Sequence, residues 1–400
     1  MRKPDISLSS PDITNSEREA VSRVLLRRTL SIGPEIVAFE ERFSSFLGVS
    51  HAVAVNSGTS GLHLAVIAAG LSDGDLVLTT PFSFVASANA ALYQRGIPVF
   101  IDVDRRTGNI DPELIRQAAH DLMRGGAAAR KWLPPALRNG RRRGDTGRLK
   151  MILPVHVFGQ PVDMDPILEV ASEYELVVVE DACEALGSEY KQFSAGSMGH
   201  AGVFAFYPNK QMTTGEGGMI VTNRDDWAEL FRSLRNQGRI DSGAWLCHAR
   251  LGYNYRMDEM SAALGRAQME RIDELIASRE KVAAWYNERL AGMELIETPE
   301  VVESTTRMSW FVYVVRVRPP LDRDRLIDDL ANVGIPTRPY FTPIHLQPFY
   351  RERFGYETGD FPVSEELGNI SLALPFSGVM TERQVDFVCS TLERAVYEFA

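Results

Sequence analysis

The sequence predicts an α/β protein: a mostly parallel sheet in a large first unit, then a smaller α+β unit. Two observations carry this. Short apolar runs at 51–55, 76–80, 99–103, 151–155 and 177–179 alternate with helical patterns, and such alternation builds parallel sheets through crossover connections. Beyond residue 290 the pattern changes to an alternating strand at 310–317, an amphipathic helix at 322–333 and a last helix through Val385, Val388 and Leu392. The expected division is 1–250 for the large unit, 251–290 for connecting helices and 291–400 for the small unit. A chain of 400 residues is long enough for both cores.

Composition narrows the class. The net charge of −10 argues against general nucleic-acid or membrane-surface binding. No apolar run is long enough to span a bilayer, and the first residues carry no apolar signal core. Cys183, Cys247 and Cys389 have no CxxC spacing and fit free thiols in a reducing compartment. The expected location is the cytoplasm. No zinc-type spacing, Walker loop or internal repeat is present, so no metal is expected.

In chain order, Asn15 or Ser16 is the expected cap of a first helix through Val21, Val24 and Leu25. The stretch from Leu30 to Pro34 breaks it, and Ile36, Phe39 and Phe43 mark a second helix. After the 51–55 strand, Asn56-Ser57-Gly58-Thr59-Ser60 opens another helix. Free N–H groups and the helix dipole make that turn either an ordinary N-cap or an anion site suited to a phosphate. His63 reads as packed on its helix. From Arg124 to Lys150 there are nine Lys/Arg and one acid, Asp145. This basic insertion, about 120–150, reads as a solvated loop; contact with a diphosphate or an acidic surface is the sharper alternative.

The chemistry gathers between 177 and 218. Phe204-Ala205-Phe206-Tyr207-Pro208-Asn209-Lys210 runs into Thr213-Thr214-Gly215-Glu216-Gly217-Gly218. One lysine therefore stands between two segments that want burial, where partial desolvation favours a nucleophilic amine able to form a Schiff base. Upstream, a strand ends in Glu180-Asp181, with Glu184 three residues on. Pyridoxal 5′-phosphate (PLP) needs a Schiff-base lysine and an acid facing its ring nitrogen, and the ends of neighbouring strands in an open sheet can present both.

On these residues the chain resembles the DegT/DnrJ/EryC1/StrS sugar aminotransferases, and the resemblance runs over nearly all of its length. It implies the PLP-dependent transferase fold type I with a seven-stranded, mostly parallel sheet. It implies catalytic roles for Lys210, as Schiff-base amine and proton carrier, and for Asp181, against the ring nitrogen. Gly58 and Thr59 then hold the phosphate, Phe84 stacks on the pyridine and Glu184 meets the ring hydroxyl. Relatives often have a serine at position 205; with Ala205 here, Asn209 or the Gly58-Thr59 turn takes over that contact. Asn254 is expected to reach the partner's PLP phosphate in a homodimer with composite sites. Ile32, in the N-terminal turn, and His156, Arg235, Arg239, Tyr340 and His345 are expected at the substrate, the two arginines on a diphosphate. The implied reaction moves an amino group from L-glutamate to a nucleotide-linked keto sugar. A PLP-dependent sugar dehydratase and a non-catalytic PLP-binding regulatory protein are the alternatives; Lys210 counts against the first, whose branch carries a histidine there.

Overall fold

The computed structural model describes residues 4–138, 147–240 and 247–397. Its centre is a sheet of seven strands. In chain order these are β1 (His51–Val55), β2 (Leu76–Thr79), β3 (Ile97–Phe100), β4 (Leu149–Ile152) and β5 (Val177–Asp181). A small hairpin follows, β6 (Glu189–Tyr190) and β7 (Phe193–Ser194), and then the last two strands of the large sheet, β8 (Ala201–Ala205) and β9 (Gly218–Thr222). The spatial order is β1-β9-β8-β5-β4-β2-β3. Every pairing from β8 through β5, β4 and β2 to β3 is parallel. Only β9 runs against its neighbours β1 and β8. The PLP-dependent fold type I architecture is thus in place.

Strand alternation builds the core. Val77, Met151 and Val179 face one buried cluster with the helix Gly58–Ala68, while Leu78, Ile152 and Val178 face another with the helix Met164–Glu173. Both faces are covered, so the central strands are mostly apolar on both sides.

A second sheet contains β10 (Ile296–Glu297), β12 (Tyr313–Val317), β13 (Arg338–Pro339) and β14 (Ser371–Leu374), all antiparallel, in the order β10-β12-β14-β13. It packs on the helices Ile272–Leu290 and Glu382–Tyr397 around Tyr286, Tyr313 and Phe376. The remaining strand, β11 (Thr305–Arg307), crosses back to pair with β6 and ties this layer to the first.

Four expectations change. The first helix, Asn15–Arg27, is capped by Thr14, not Asn15 or Ser16: Thr14 accepts from Ser16 N, and Glu17 reaches back to the Thr14 N–H at 2.7 Å. This reciprocal capping box satisfies two otherwise orphaned donors. The strand expected at 99–103 lies at 97–100, because Asp102 leaves the sheet to accept from Val363 N and Ser364 N. The strand expected at 151–155 lies at 149–152; Pro154 has no N–H to give a ladder. The start of the basic stretch is not loop but two short helices, Gly126–Arg130 and Pro135–Arg138. Trp132 donates to Asp121 at 2.9 Å and Leu133 is buried, which pins this part to the body. Arg141, Arg142 and Arg143 lie outside the described residues.

Candidate active site

Two neighbouring strand ends place the two principal groups. β5 ends on Asp181, and β8 runs out at Ala205 into the turn that carries Lys210. That turn is held from both sides. Thr214 N and Thr213 Oγ1 donate to Phe206 O at 3.0 Å, and Gln211 Nε2 donates to Glu184 O at 2.6 Å. With Phe206, Gln211 and Met212 buried, the Lys210 side chain is left to enter a cavity of about 480 Å³ and is 13% exposed. Lys210 Nζ lies 3.5 Å from Glu184 Oε1 and 3.7 Å from the centre of the Phe311 ring.

The carboxylates are separately supported. Ser87 Oγ donates to Asp181 Oδ2 at 2.7 Å and Cys183 N to Oδ1 at 3.1 Å. These bonds hold the Asp181 side chain against the cavity wall. Glu184 Oε2 accepts from Phe158 N at 2.9 Å. Burial pushes the Glu184 pKa up, against the opposing charge of Lys210 and the Phe158 bond, so this group keeps a proton to higher pH than a free glutamate. Burial raises the Cys183 thiol well above its ordinary value, with the Asp181 charge adding to it. Cys183 is therefore an inert filler.

The far side of the cavity is the start of the helix Gly58–Ala68. Ser57 Oγ accepts from Ser60 N at 3.1 Å, while Gly58 and Thr59 open onto the cavity. First-turn N–H groups have no partner within a helix, and the dipole adds positive potential, so this end attracts a phosphate. Gly58 is required: a Cβ there would stand 2.7 Å from Ala205 Cβ and 2.9 Å from Cys183 Sγ. Asn209 Oδ1 is buried with no hydrogen-bond partner, an unsatisfied polar atom on the cavity wall. Phe84, 62% exposed, lines the same space. An amine, a supported carboxylate, a flat ring, an orphaned amide and a helix N-terminus form a donor set that fits PLP.

The remaining expectations divide. Tyr340 lines the cavity. His156 does not: just past the end of β4, Val155 lines the cavity while His156 lies away from it. It is fully buried there, 3.0 Å from Glu180 Oε2, and accepts from Val162 N. His345 is also fully buried, turned inward by a short 3-10 turn to pair with Glu365 Oε1 at 2.9 Å. Both histidines are structural in position. Ile32, Arg235 and Arg239 line a different cavity of about 640 Å³, with Arg232, Arg250 and Arg256, that shares no wall residue with the first. Arg235 is bound to Glu40 and donates to Ala54 O at 2.6 Å, whereas Arg239 Nε is buried without a partner among the described residues. Asn254 is exposed, beside Asn236, and does not line its own chain's lysine cavity.

Residues 11–393 match the DegT/DnrJ/EryC1/StrS aminotransferase family. The chain belongs to this family. Among its relatives, the GDP-perosamine synthase of Caulobacter vibrioides is 39% identical over 396 residues, covering 98% of this chain and 99% of the relative. The GDP-perosamine synthase of Escherichia coli O157:H7 is 32% identical, covering 97% of each. The solved structure of S. venezuelae DesV in complex with a ketimine intermediate superposes with a TM-score of 0.85 at 30% identity, covering 98% of this chain and 99% of that one. This DegT/DnrJ/EryC1/StrS family member is a PLP-dependent aminotransferase.

Three side chains at the site were not evident in the sequence. Ser87, four residues after Ser83 in an alanine-rich helix, supports Asp181. Phe311 forms the floor under Lys210 Nζ. Arg279, 3% exposed, donates to four carbonyls: Asn209 O at 3.2 Å, Lys210 O at 2.5 Å, Trp310 O at 3.2 Å and Phe311 O at 3.1 Å. It fixes the lysine and its aromatic floor to one another. Burial lowers its pKa to about 10, which leaves it a cation at neutral pH.

Proposed function

We propose that this aminotransferase moves an amino group from L-glutamate to the ketone of a nucleotide-linked sugar, giving an amino sugar and 2-oxoglutarate. The observation that carries the reading is the convergence of Lys210, Asp181 and the Gly58-Thr59 helix start on one cavity. The names of the perosamine synthase relatives support a nucleotide sugar as the acceptor. When bound, PLP supplies an aldehyde for the amine and a ring that withdraws electrons from the substrate carbon.

The chain's own residues do the rest. Lys210 holds the cofactor between turnovers, and once released its amine takes the proton from the donor's α-carbon and returns one on the other side of the reaction. Asp181, kept in line by Ser87, presents negative charge to the ring nitrogen. The Gly58 and Thr59 N–H groups, with the side-chain NH2 of Asn209 as a further donor, hold the phosphate without the serine hydroxyl that Ala205 lacks. Glu184 faces the ring hydroxyl, and burial, which raises its pKa, favours the hydrogen bond between the two groups. Tyr340 borders the sugar. Asn254, exposed and outside its own cavity, reaches the phosphate of a second copy in a homodimer. The transfer is redox-neutral, since the donor's loss of an amine to a carbonyl balances the acceptor's gain.

The test is a visible absorbance scan of purified protein before and after L-glutamate, alongside Lys210→Ala. A yellow band bleached by glutamate in the wild type, with no lysine-linked band in the variant, is the expected result. A band that ignores glutamate and other amino donors overturns the donor half of the proposal. Nucleotide keto sugars offered to the glutamate-treated protein then test the acceptor half.

A further inference from the structure

The last two residues of β5 are both acids, and the strand gives them opposite faces. Asp181 turns to the lysine cavity; Glu180 turns away from it and is fully buried. A buried carboxyl group is costly unless its oxygens find donors, and Glu180 finds four. Oε1 accepts from Met198 N at 2.7 Å and Gly199 N at 2.6 Å, and Oε2 accepts from Gly196 N at 2.8 Å and His156 Nε2 at 3.0 Å. Three of these donors are backbone groups of one turn. The fourth is a side chain whose orientation is fixed, because Val162 N donates to His156 Nδ1 at 3.0 Å. A backbone N–H can only donate, so Nδ1 accepts and the ring proton stands on Nε2, aimed at Glu180.

His156 lies outside the cavity, but its main chain is tied to residues that form it. It stands just past β4 and alongside the end of β5: Asp181 N donates to Pro154 O at 2.9 Å, and His156 N donates to Asp181 O at 3.1 Å. One residue therefore holds two consecutive acids, Glu180 by its ring and Asp181 by its backbone. Two positions on, Phe158 N makes the 2.9 Å bond to Glu184 Oε2. Phe158 makes it at a φ of 58°, a left-handed conformation that a bulky residue keeps only where its surroundings fix it. His156 fixes the turn on one side. Asn109 closes it on the other, accepting from Val157 N at 2.9 Å and donating to Gln160 O at 3.0 Å and Pro161 O at 3.1 Å.

Resting on the roles given above to Asp181 and Glu184, we infer that His156, anchored by Glu180, is a positioning residue for the amine transfer. It sets the Asp181 backbone and the Phe158 N–H, and through them the two acids that face the cofactor ring from different sides. Glu180 and the turn at 196–199 are the anchor, and neither lines the cavity.

Two substitutions separate the ring's two bonds. His156→Asn keeps an acceptor for Val162 N but is too short to reach Glu180, whereas His156→Gln keeps a donor for Glu180. His345→Gln is the control, because His345 is equally buried and pairs with Glu365 at 2.9 Å away from the lysine cavity. The measurements are the visible band of the PLP-loaded protein without substrate, kcat and KM for L-glutamate, and denaturant unfolding. His156→Asn should shift the band and lower kcat about tenfold with KM within about twofold, the pattern of a misplaced reacting group. His156→Gln should return the band to its wild-type position and kcat to within about threefold. His345→Gln should lose stability without moving the band or kcat.

An unmoved band and kcat in folded His156→Asn overturn the positioning role. So does an equal shift in His345→Gln, which would make the effect one of general loosening. If neither His156 variant folds, hydrogen exchange of the wild type with and without PLP reads the same link. PLP should slow exchange about threefold or more in the turn at 196–199, which a ligand merely covering the cavity wall would not do; unchanged exchange there overturns the link. Asp181→Asn on the same measurements separates the two readings. If it lowers kcat and His156→Asn does not, the positioning role falls and the Asp181 assignment stands. If the wild type ignores glutamate but His156→Asn still shifts the band, the positioning role stands and the donor assignment falls.

Discussion

The lysine cavity and the arginine cavity differ in how their charges are held. In the first, the ionisable groups around the lysine have fixed settings: Asp181 between Ser87 and the Cys183 N–H, Glu184 on the Phe158 N–H, Lys210 between Glu184 and the Phe311 ring. In the second, five guanidiniums share a wall with one acid, Glu229, and the best-anchored of them, Arg235, is engaged with Glu40 and a carbonyl. Fixed dipoles and charges around a small space serve chemistry, because nothing need reorganise as charge moves. A crowd of cations on a wider wall attracts anions but directs no proton. The contrast supports the proposal that the reaction runs at Lys210 and gives the arginine cavity no fixed geometry for proton transfer.

The largest effect that could break this contrast is at Lys210. Lys210→Ala should lower amine transfer by about 10³-fold or more, since it removes both the covalent anchor and the proton carrier. Single-turnover kinetics on the bleaching of the visible band would measure it, and a loss below tenfold would move the chemistry elsewhere. Asp181→Asn comes next. It keeps the shape but removes the charge, with an expected loss on the order of 10²-fold. Ser87→Ala should cost much less, about two- to tenfold, because the Cys183 N–H still holds Asp181.

Arg279 sharpens the comparison from behind the site. It is a buried cation with carbonyl partners instead of a carboxylate, and it holds three of the cavity's residues from behind without lining the cavity itself. Arg279→Met leaves four carbonyls short of a donor, and about 2–3 kcal/mol of stability should be lost in denaturant unfolding. A positioning role also predicts an effect that simple destabilisation would not give: kcat falls about tenfold, KM for glutamate stays near wild type and the visible band shifts. Arg279→Lys, which keeps the charge but cannot span both pairs of carbonyls, should recover only part. An unshifted band and unchanged kcat in a folded Arg279→Met protein would reduce Arg279 to a structural cation.

These residues also show what the sequence could reveal. That Lys210, Asp181 and Gly58-Thr59 stand around one cavity was legible because each belongs to a local pattern: a strand end, a glycine-rich turn or a helix start. The parallel sheet was legible for the same reason, since strand alternation is written in neighbours. The histidines were not. His156 lies past the end of its strand, where only the tertiary fold brings it to Glu180, and His345 is claimed by Glu365, which the sequence does not mark as its partner. Arg279 reads as one more helix residue, because its partners are carbonyls at 209–210 and 310–311 that only the tertiary fold brings together. The basic stretch looked like loop because charge outweighed its few anchors, Trp132 and Leu133.

The smallest expected effect concerns pH, and it treats the two cavities alike. Each has a buried glutamate–arginine pair nearby. On the lysine side Glu17 accepts from Arg271 Nε at 2.6 Å and from Gln268 Nε2 at 2.8 Å, and Gln268 in turn accepts from Thr213 N in the Lys210 turn. On the arginine side Glu35 meets Arg266 Nε at 2.7 Å and Arg27 Nη1 at 2.8 Å. Burial alone would raise both carboxyls, but their hydrogen bonds and ion pairs outweigh it, and both end below the ordinary value, Glu17 at about 2. A carboxyl depressed in the folded state adds stability that is present above its unfolded value of 4.5 and is lost as the pH falls toward the folded value. Between pH 4.5 and about 2 the protein should therefore lose stability steadily, and Glu17→Gln should flatten that fall while lowering stability at pH 7. Because Gln268 links Glu17 to the Lys210 turn, the visible band should weaken over the same pH range in the wild type and be less pH-dependent in Glu17→Gln. Glu35→Gln should flatten the stability curve without changing how the band follows pH. If both variants alter the band equally, the two cavities are coupled through the helices that carry these pairs, and the separation drawn between them is too sharp.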